Sequence, residues 1–163
     1  MAQEQFDLLV PKSGTVQDIV DALIKKAQID DEVKGGPIRL YEIHNHKLQK
    51  EPLRESAIIN ISDYHMVVCE RVPEEEISPE EGTFIQAYHY HSEPSKAHGT
   101  PFKFLIKPDE VFADTRKRLE KRTGLKGKNF EKVKFATVKR SMYATPSYLS
   151  DGKFSSAPVR ADH

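Results

Sequence analysis

The sequence predicts an α+β chain built of two successive units, and three observations lead there. Apolar residues repeat with the two-residue period of strands in several tracts and with the helical period in two others. Charge is sorted along the chain. Residues 1–82 hold 17 acidic and 9 basic side chains, a net of −8, while residues 83–163 hold 8 acidic and 16 basic, a net of +8. Between the halves, Pro73–Gly82 (PEEEISPEEG) combines two prolines, a glycine and five glutamates. That composition suits a solubilising linker better than a core.

In the first half, Phe6–Pro11 is a short apolar run and is expected to form a strand. Lys12-Ser13-Gly14 has turn chemistry. Thr15 suits a helix N-cap, with Asp18 three residues on in capping-box register. Val16, Ile19, Val20, Leu23, Ile24 and Ala27 then follow at helical spacing, so a helix is expected to end near Ile29. Gly35-Gly36-Pro37 enforces a loop. Ile38–Ile43 alternates, with Ile38, Leu40 and Tyr41 competing for the core face, and Tyr64–Val72 is the last strand. A single helix between strands, with a later strand free to return beside the first, matches a β-grasp roll.

The second half repeats that order. Thr83–His91 alternates, Glu93–Thr100 reads as a loop, and Pro101–Lys107 places Phe102, Phe104 and Ile106 on one face. Pro108-Asp109-Glu110 is expected to open a helix, since Pro and acids suit a first turn. Phe112, Thr115 and Leu119 form its apolar stripe, and Gly124 its stop. Val133–Val138 is another expected strand. Beyond Tyr148, Ser, Gly, Ala and Pro suggest disorder.

Composition excludes several classes. The 163 residues hold 25 Lys+Arg against 25 Asp+Glu. No apolar run approaches the roughly 20 residues of a membrane helix, so no membrane contact is expected. The start, MAQEQFDLLV, lacks the basic and apolar regions of a secretory signal. One cysteine, Cys69, allows neither an internal disulfide nor a cysteine-rich metal site, which points to a reducing intracellular compartment. Cys69 sits among Met66, Val67, Val68 and Val72 and reads as a half-buried, inert thiol. No catalytic residue is assigned. His44 with His46, and His89 with His91, are spaced to share strand faces, but no Cys partner or HExxH helix accompanies them. They read as ordinary strand histidines, and no metal or cofactor is expected.

The tract Lys103–Arg140 carries 13 basic and 5 acidic residues. It lacks the motifs of nucleic-acid readers, so nucleic acid is the less favoured partner and a free-standing basic nucleic-acid-binding module the alternative function. A +8 half can instead steer toward an acidic protein, or toward the −8 half of its own chain. Charge alone nominates Arg116, Lys117, Lys121 and Arg122 as partner-binding residues.

Two tracts carry a family likeness. GPIRLYEIHNHKL (Gly36–Leu48) resembles the fourth ubiquitin-like domain of the herpesvirus-associated ubiquitin-specific protease family. AYHYHSE, then GTPFKFLIKPDEVFADTRKRLEKRTGL, then FEKVKFATV, within Ala87–Val138, resemble the fifth. The likeness covers most of residues 6–148. It implies two ubiquitin-like β-grasp domains in tandem: residues 1–75, lacking the family's first strand, and residues 83–150, which stop short of its last. Residues 76–82 would be an acidic linker and residues 151–163 a disordered tail. The resemblance further implies a non-catalytic part of a cysteine-type deubiquitinase, found in nucleus and cytoplasm, that docks in cis on the catalytic domain, favours its active state and recruits protein partners. In the animal form these include a herpesviral ubiquitin ligase. A monomer is expected. Gly35-Gly36 is internal and followed by Pro37, so these would be built-in modules rather than conjugated tags.

Overall fold

The computed structural model describes residues 4–29, 37–138 and 145–149. Gly35-Gly36 and the tail after 150 lie outside them. The chain is a mixed α/β structure with antiparallel sheets. Helix α1 (Val16–Ala27) starts where the capping signal places it. The Asp18 carboxylate accepts from the Thr15 N–H at 2.8 Å, the reciprocal half of a capping box.

β1 (Ile38–His44), β2 (Lys47–Lys50) and β3 (Met66–Arg71) form an antiparallel sheet in the order β2-β1-β3. Asn45 and His46, both at positive φ, make the two-residue turn between β1 and β2. His46 is thus a turn residue and does not share a strand with His44. Val16 and Val20, both fully buried, meet Ile38 and Leu40 across the α1–sheet interface, with Ile19, Ile24, Ile61 and Cys69 around them.

The strand expected at Phe6–Pro11 does not form. A strand needs a ladder partner, and among the described residues this segment has none; Leu9 is 99% exposed. The turn that follows is anchored: the Gly14 N–H donates to the Pro11 carbonyl, the Gly14 carbonyl accepts from the Ile58 N–H, and the Ser56 carbonyl receives the Val16 N–H. Gly14 is needed there, because a Cβ would come within 2.6 Å of Asp18 Oδ2 and 3.0 Å of the Pro11 carbonyl.

The connecting stretch is also ordered. α2 (Glu74–Ile77) is a single helical turn, and Glu76 is 5% exposed. Within the Glu74–Glu76 cluster, Glu76 is therefore not solvated, Glu75 is half-buried, and Glu74 is exposed.

β4 (Thr83–Tyr90) and β5 (Ala97–Ile106) form a hairpin, irregular between Ala87 and His89. β5 begins at Ala97, inside the expected loop. Helix α3 (Phe112–Thr123) crosses the hairpin and stops at Gly124 in the left-handed conformation, as its sequence predicts. Its start is later than expected. Asp109 sits at positive φ, and Glu110 turns back to accept from Thr115 Oγ1 and Arg118 instead of entering the first turn. One further turn, α4 (Lys128–Glu131), was not legible in the sequence. Of the expected strand Val133–Val138, only β6 (Ala136–Thr137) pairs, with β7 (Ser147–Tyr148). Phe135 instead packs its ring on Phe112 and Phe130, at 5.8 and 5.7 Å between centroids.

Candidate functional site

β1 is buried on both faces. Alternation sends Ile38 and Leu40 toward α1, and Arg39 and Tyr41 the other way, toward the second half of the chain. There a seam of charges joins the two halves.

Glu70, opposite Arg39 in the β1–β3 ladder, is its hub. Its Oε1 accepts from Arg39 Nε at 3.1 Å, from Arg39 Nη2 at 2.7 Å, and from the Tyr41 hydroxyl. Its Oε2 accepts from Arg122 Nη2 on α3. Arg39 Nη2 also donates to Glu76 Oε2 at 2.7 Å, and Glu76 Oε1 receives the Leu105 N–H of β5 at 3.2 Å. Arg118 gives a two-pronged pair to Glu110, both bonds at 2.8 Å, donates to the Leu105 carbonyl at 2.6 Å, and reaches Glu75 at 3.4 Å. At the rim, Lys103 pairs with Glu51 at 2.9 Å, and His46 Nδ1 lies 2.9 Å from the Gly99 carbonyl oxygen. The acidic and basic halves thus answer each other.

Burial sets the electrostatics. It opposes the charge on Arg39, but the hydrogen bonds to Glu70 and Glu76 outweigh it and raise its pKa. Burial, reinforced by the bond to Glu70, also raises the Tyr41 pKa, so the phenol stays a donor. At Arg118, burial again opposes the charge and the Glu110 pair restores it. Two of the three guanidinium groups of α3 also stack on β5 rings: Arg118 lies 4.7 Å from the Phe104 centroid and Arg122 5.1 Å from that of Phe102.

This geometry divides the four residues nominated by charge. Arg122 has a side chain only 10% exposed and points into the seam. Arg116 is half-buried with its guanidinium over the Phe130 ring at 5.5 Å. Lys117, 77% exposed and 3.3 Å from Asp114, and Lys121, exposed, lie on the outer side of α3. Sequence reasoning missed Arg39, Glu70, Glu76 and Arg118 as partners. The signal available was the −8 and +8 split, which says that the halves attract but not through which residues.

The remaining singled-out residues have local roles. Burial pushes the Cys69 thiol up to about 11, as for an inert core cysteine. His44 and His65 are ring neighbours at 5.2 Å, and His65 Nδ1 lies 2.6 Å from Glu42 Oε2. His89 faces His98 across the β4–β5 hairpin at 4.1 Å. Among the described residues no helix is long and apolar enough to cross a membrane.

The full chain, residues 1–163, matches a family model described as ubiquitin-specific protease C-terminal. Ubiquitin carboxyl-terminal hydrolase 15 of Schizosaccharomyces pombe is 31% identical over 152 residues, which cover 91% of this chain and 13% of that protein. Ubiquitin carboxyl-terminal hydrolase 5 of the same yeast is 31% identical over 137 residues, 83% of this chain and 12% of that protein. Ubiquitin C-terminal hydrolase 13 of Arabidopsis thaliana is 29% identical over 153 residues, 89% of this chain and 13% of that protein. The chain spans 12–13% of the length of these relatives.

Proposed function

The chain belongs to the ubiquitin-specific protease C-terminal family, and from that premise we propose that it is a non-catalytic regulatory module of a deubiquitinase. It docks on the catalytic domain of the same protein, shifts that domain toward its competent conformer, and recruits protein partners. The two halves are ubiquitin-like domains in tandem, 1–75 and 83–150. Family membership, over the whole chain, is the observation that carries this reading.

The mechanism is a population shift. Docking accelerates turnover only if the module binds the competent conformer more tightly than the incompetent one. A tandem held by a charge seam suits that task, because a rigid unit presents one fixed surface and loses little conformational freedom on docking. The outward cations of α3, Lys117 and Lys121, are the docking residues; Arg122 supports them from the seam. Nucleic acid is a weaker reading, since Arg118 and Arg122 are turned inward onto carboxylates.

The test is turnover of a fluorogenic ubiquitin substrate by the catalytic domain of the parent enzyme, with and without this chain added in trans. A rate that rises and saturates with added chain is expected. No rise, with the chain shown folded by circular dichroism, would sink the activating role.

A further inference from the structure

The connection between the halves ends on a stretch that the seam does not engage. From Ile77 to Gly82 every residue is exposed. Both ends of the stretch are fixed. Before it, the Glu76 carboxylate accepts from Arg39 and from the Leu105 N–H. After it, Gly82 lies against β5 at φ 136, where a Cβ would come within 2.8 Å of the Ile106 carbonyl oxygen. Thr83 then pairs with Ile106. Inside the stretch, Ser78 has an extended backbone, with φ −150, as a residue before proline prefers. The chain holds three Ser/Thr-Pro steps: Ser78-Pro79, Thr100-Pro101 and Thr145-Pro146. Thr100 and Pro101 lie inside β5 with Pro101 buried, and Pro146 is half-buried. Ser78-Pro79 alone exposes both residues.

We propose that Ser78 is a phosphorylation site and that its phosphate loosens the hold of α2 on the second half. Two kinds of protein kinase fit the stretch. A proline-directed kinase meets a ring of fixed φ with no N–H to satisfy; an acid-directed kinase meets Glu80 and Glu81. Either makes the same bond. The Ser78 Oγ attacks the γ-phosphorus of ATP, the bond from that phosphorus to the bridging oxygen breaks, and ADP leaves with the electron pair. The hydroxyl proton passes to the kinase's catalytic aspartate. The product carries about −1.5 to −2 charges at pH 7. It stands at the C-terminal end of α2, three residues after Glu75 and four after Glu74. Like charges at that spacing repel, and a phosphate beside glutamates disrupts rather than orders. Glu75 is the acid that Arg118 reaches at 3.4 Å. A single turn such as α2 does not hold without its side-chain contacts, so weakening it withdraws Glu76 from the Leu105 N–H. The two-pronged Arg118–Glu110 pair stays. None of this needs a catalytic domain, so it stands or falls separately from the docking reading.

The experiment incubates the full chain with ATP and either a proline-directed or an acid-directed kinase, and reads the product by mass spectrometry. A phosphate on Ser78 is expected in the wild-type chain and is absent from Ser78→Ala; the kinase that adds it identifies the reader. Amide hydrogen exchange of the phosphorylated chain is the second readout. The Leu105 N–H should exchange about two- to fivefold faster, the effect of one or two like-charge pairs at helical spacing. The Leu40 N–H, on the strand that packs against α1, should be unchanged. Ser78→Glu, at an exposed position, should move Leu105 in the same direction by less. No phosphate on Ser78 from either kinase overturns the site. Leu105 exchange that is unchanged or slower in the phosphorylated chain overturns the release of α2.

Discussion

The two faces of β1 are both buried, but different forces hold them. Toward α1, Ile38 and Leu40 meet Val16 and Val20 in an apolar contact. Toward the second half, Arg39 and Tyr41 meet Glu70, Glu76 and Arg122 in a charged one. An apolar face gains free energy in proportion to the area removed from water and tolerates small shifts. A buried ionic face gains little net energy against a hydrophobic replacement of equal shape, yet losing one partner strands the others. The first face makes the fold stable; the second fixes how the two halves sit.

The largest effect is expected at the hub. Glu70→Ala leaves Arg122 without its carboxylate and Arg39 with Glu76 alone, and should cost about 3–5 kcal/mol in denaturant unfolding. On the apolar face, Leu40→Ala should cost about 2–5 kcal/mol, the range for a buried leucine cut to alanine. The comparison sharpens if Leu40→Ala lowers stability while leaving the seam-side amide shifts in place, and Glu70→Ala moves them.

How much of this was legible depends on the force involved. Helix α1, its Thr15–Asp18 cap and its apolar stripe follow from local chemistry, and the sequence shows them directly. So does the Gly124 stop. Phe6–Pro11 misleads because strand propensity says nothing about whether a neighbouring strand exists. Asp109 and Glu110 mislead because the carboxylate of Glu110 prefers a guanidinium eight residues on to the helix terminus. The seam was legible only as a charge split. Pairing Glu70 with Arg122 requires residues 52 apart to meet, and no local period encodes that. Glu75 and Glu76 look solvated for the same reason: their partners, Arg118, Arg39 and the Leu105 N–H, lie in other elements.

Two smaller effects probe the edges of the account. Burial, then His98 and His91, lower the His89 pKa. A histidine harder to protonate when folded contributes fully above its unfolded value of about 6.5 and less as pH falls through the folded value. Stability should therefore decline on acidification below about pH 6.5, and His89→Gln should flatten that decline in a pH series of thermal melts. The smallest effect belongs to the outer side of α3. Lys117→Glu should leave stability within about 0.5 kcal/mol, as exposed pairs do, while weakening docking to the catalytic domain in low salt. Unchanged affinity there would remove Lys117 from the docking surface.

The central claim is that the acidic and basic halves are coupled through the seam, and a double-mutant cycle between Glu70→Gln and Arg122→Gln tests it most directly. Read by denaturant unfolding, the account predicts a coupling of about 1–3 kcal/mol, the upper range for contacting residues in one network. A coupling indistinguishable from zero, with both single variants folded, would mean that the hub of the seam does not couple the halves and would contradict it.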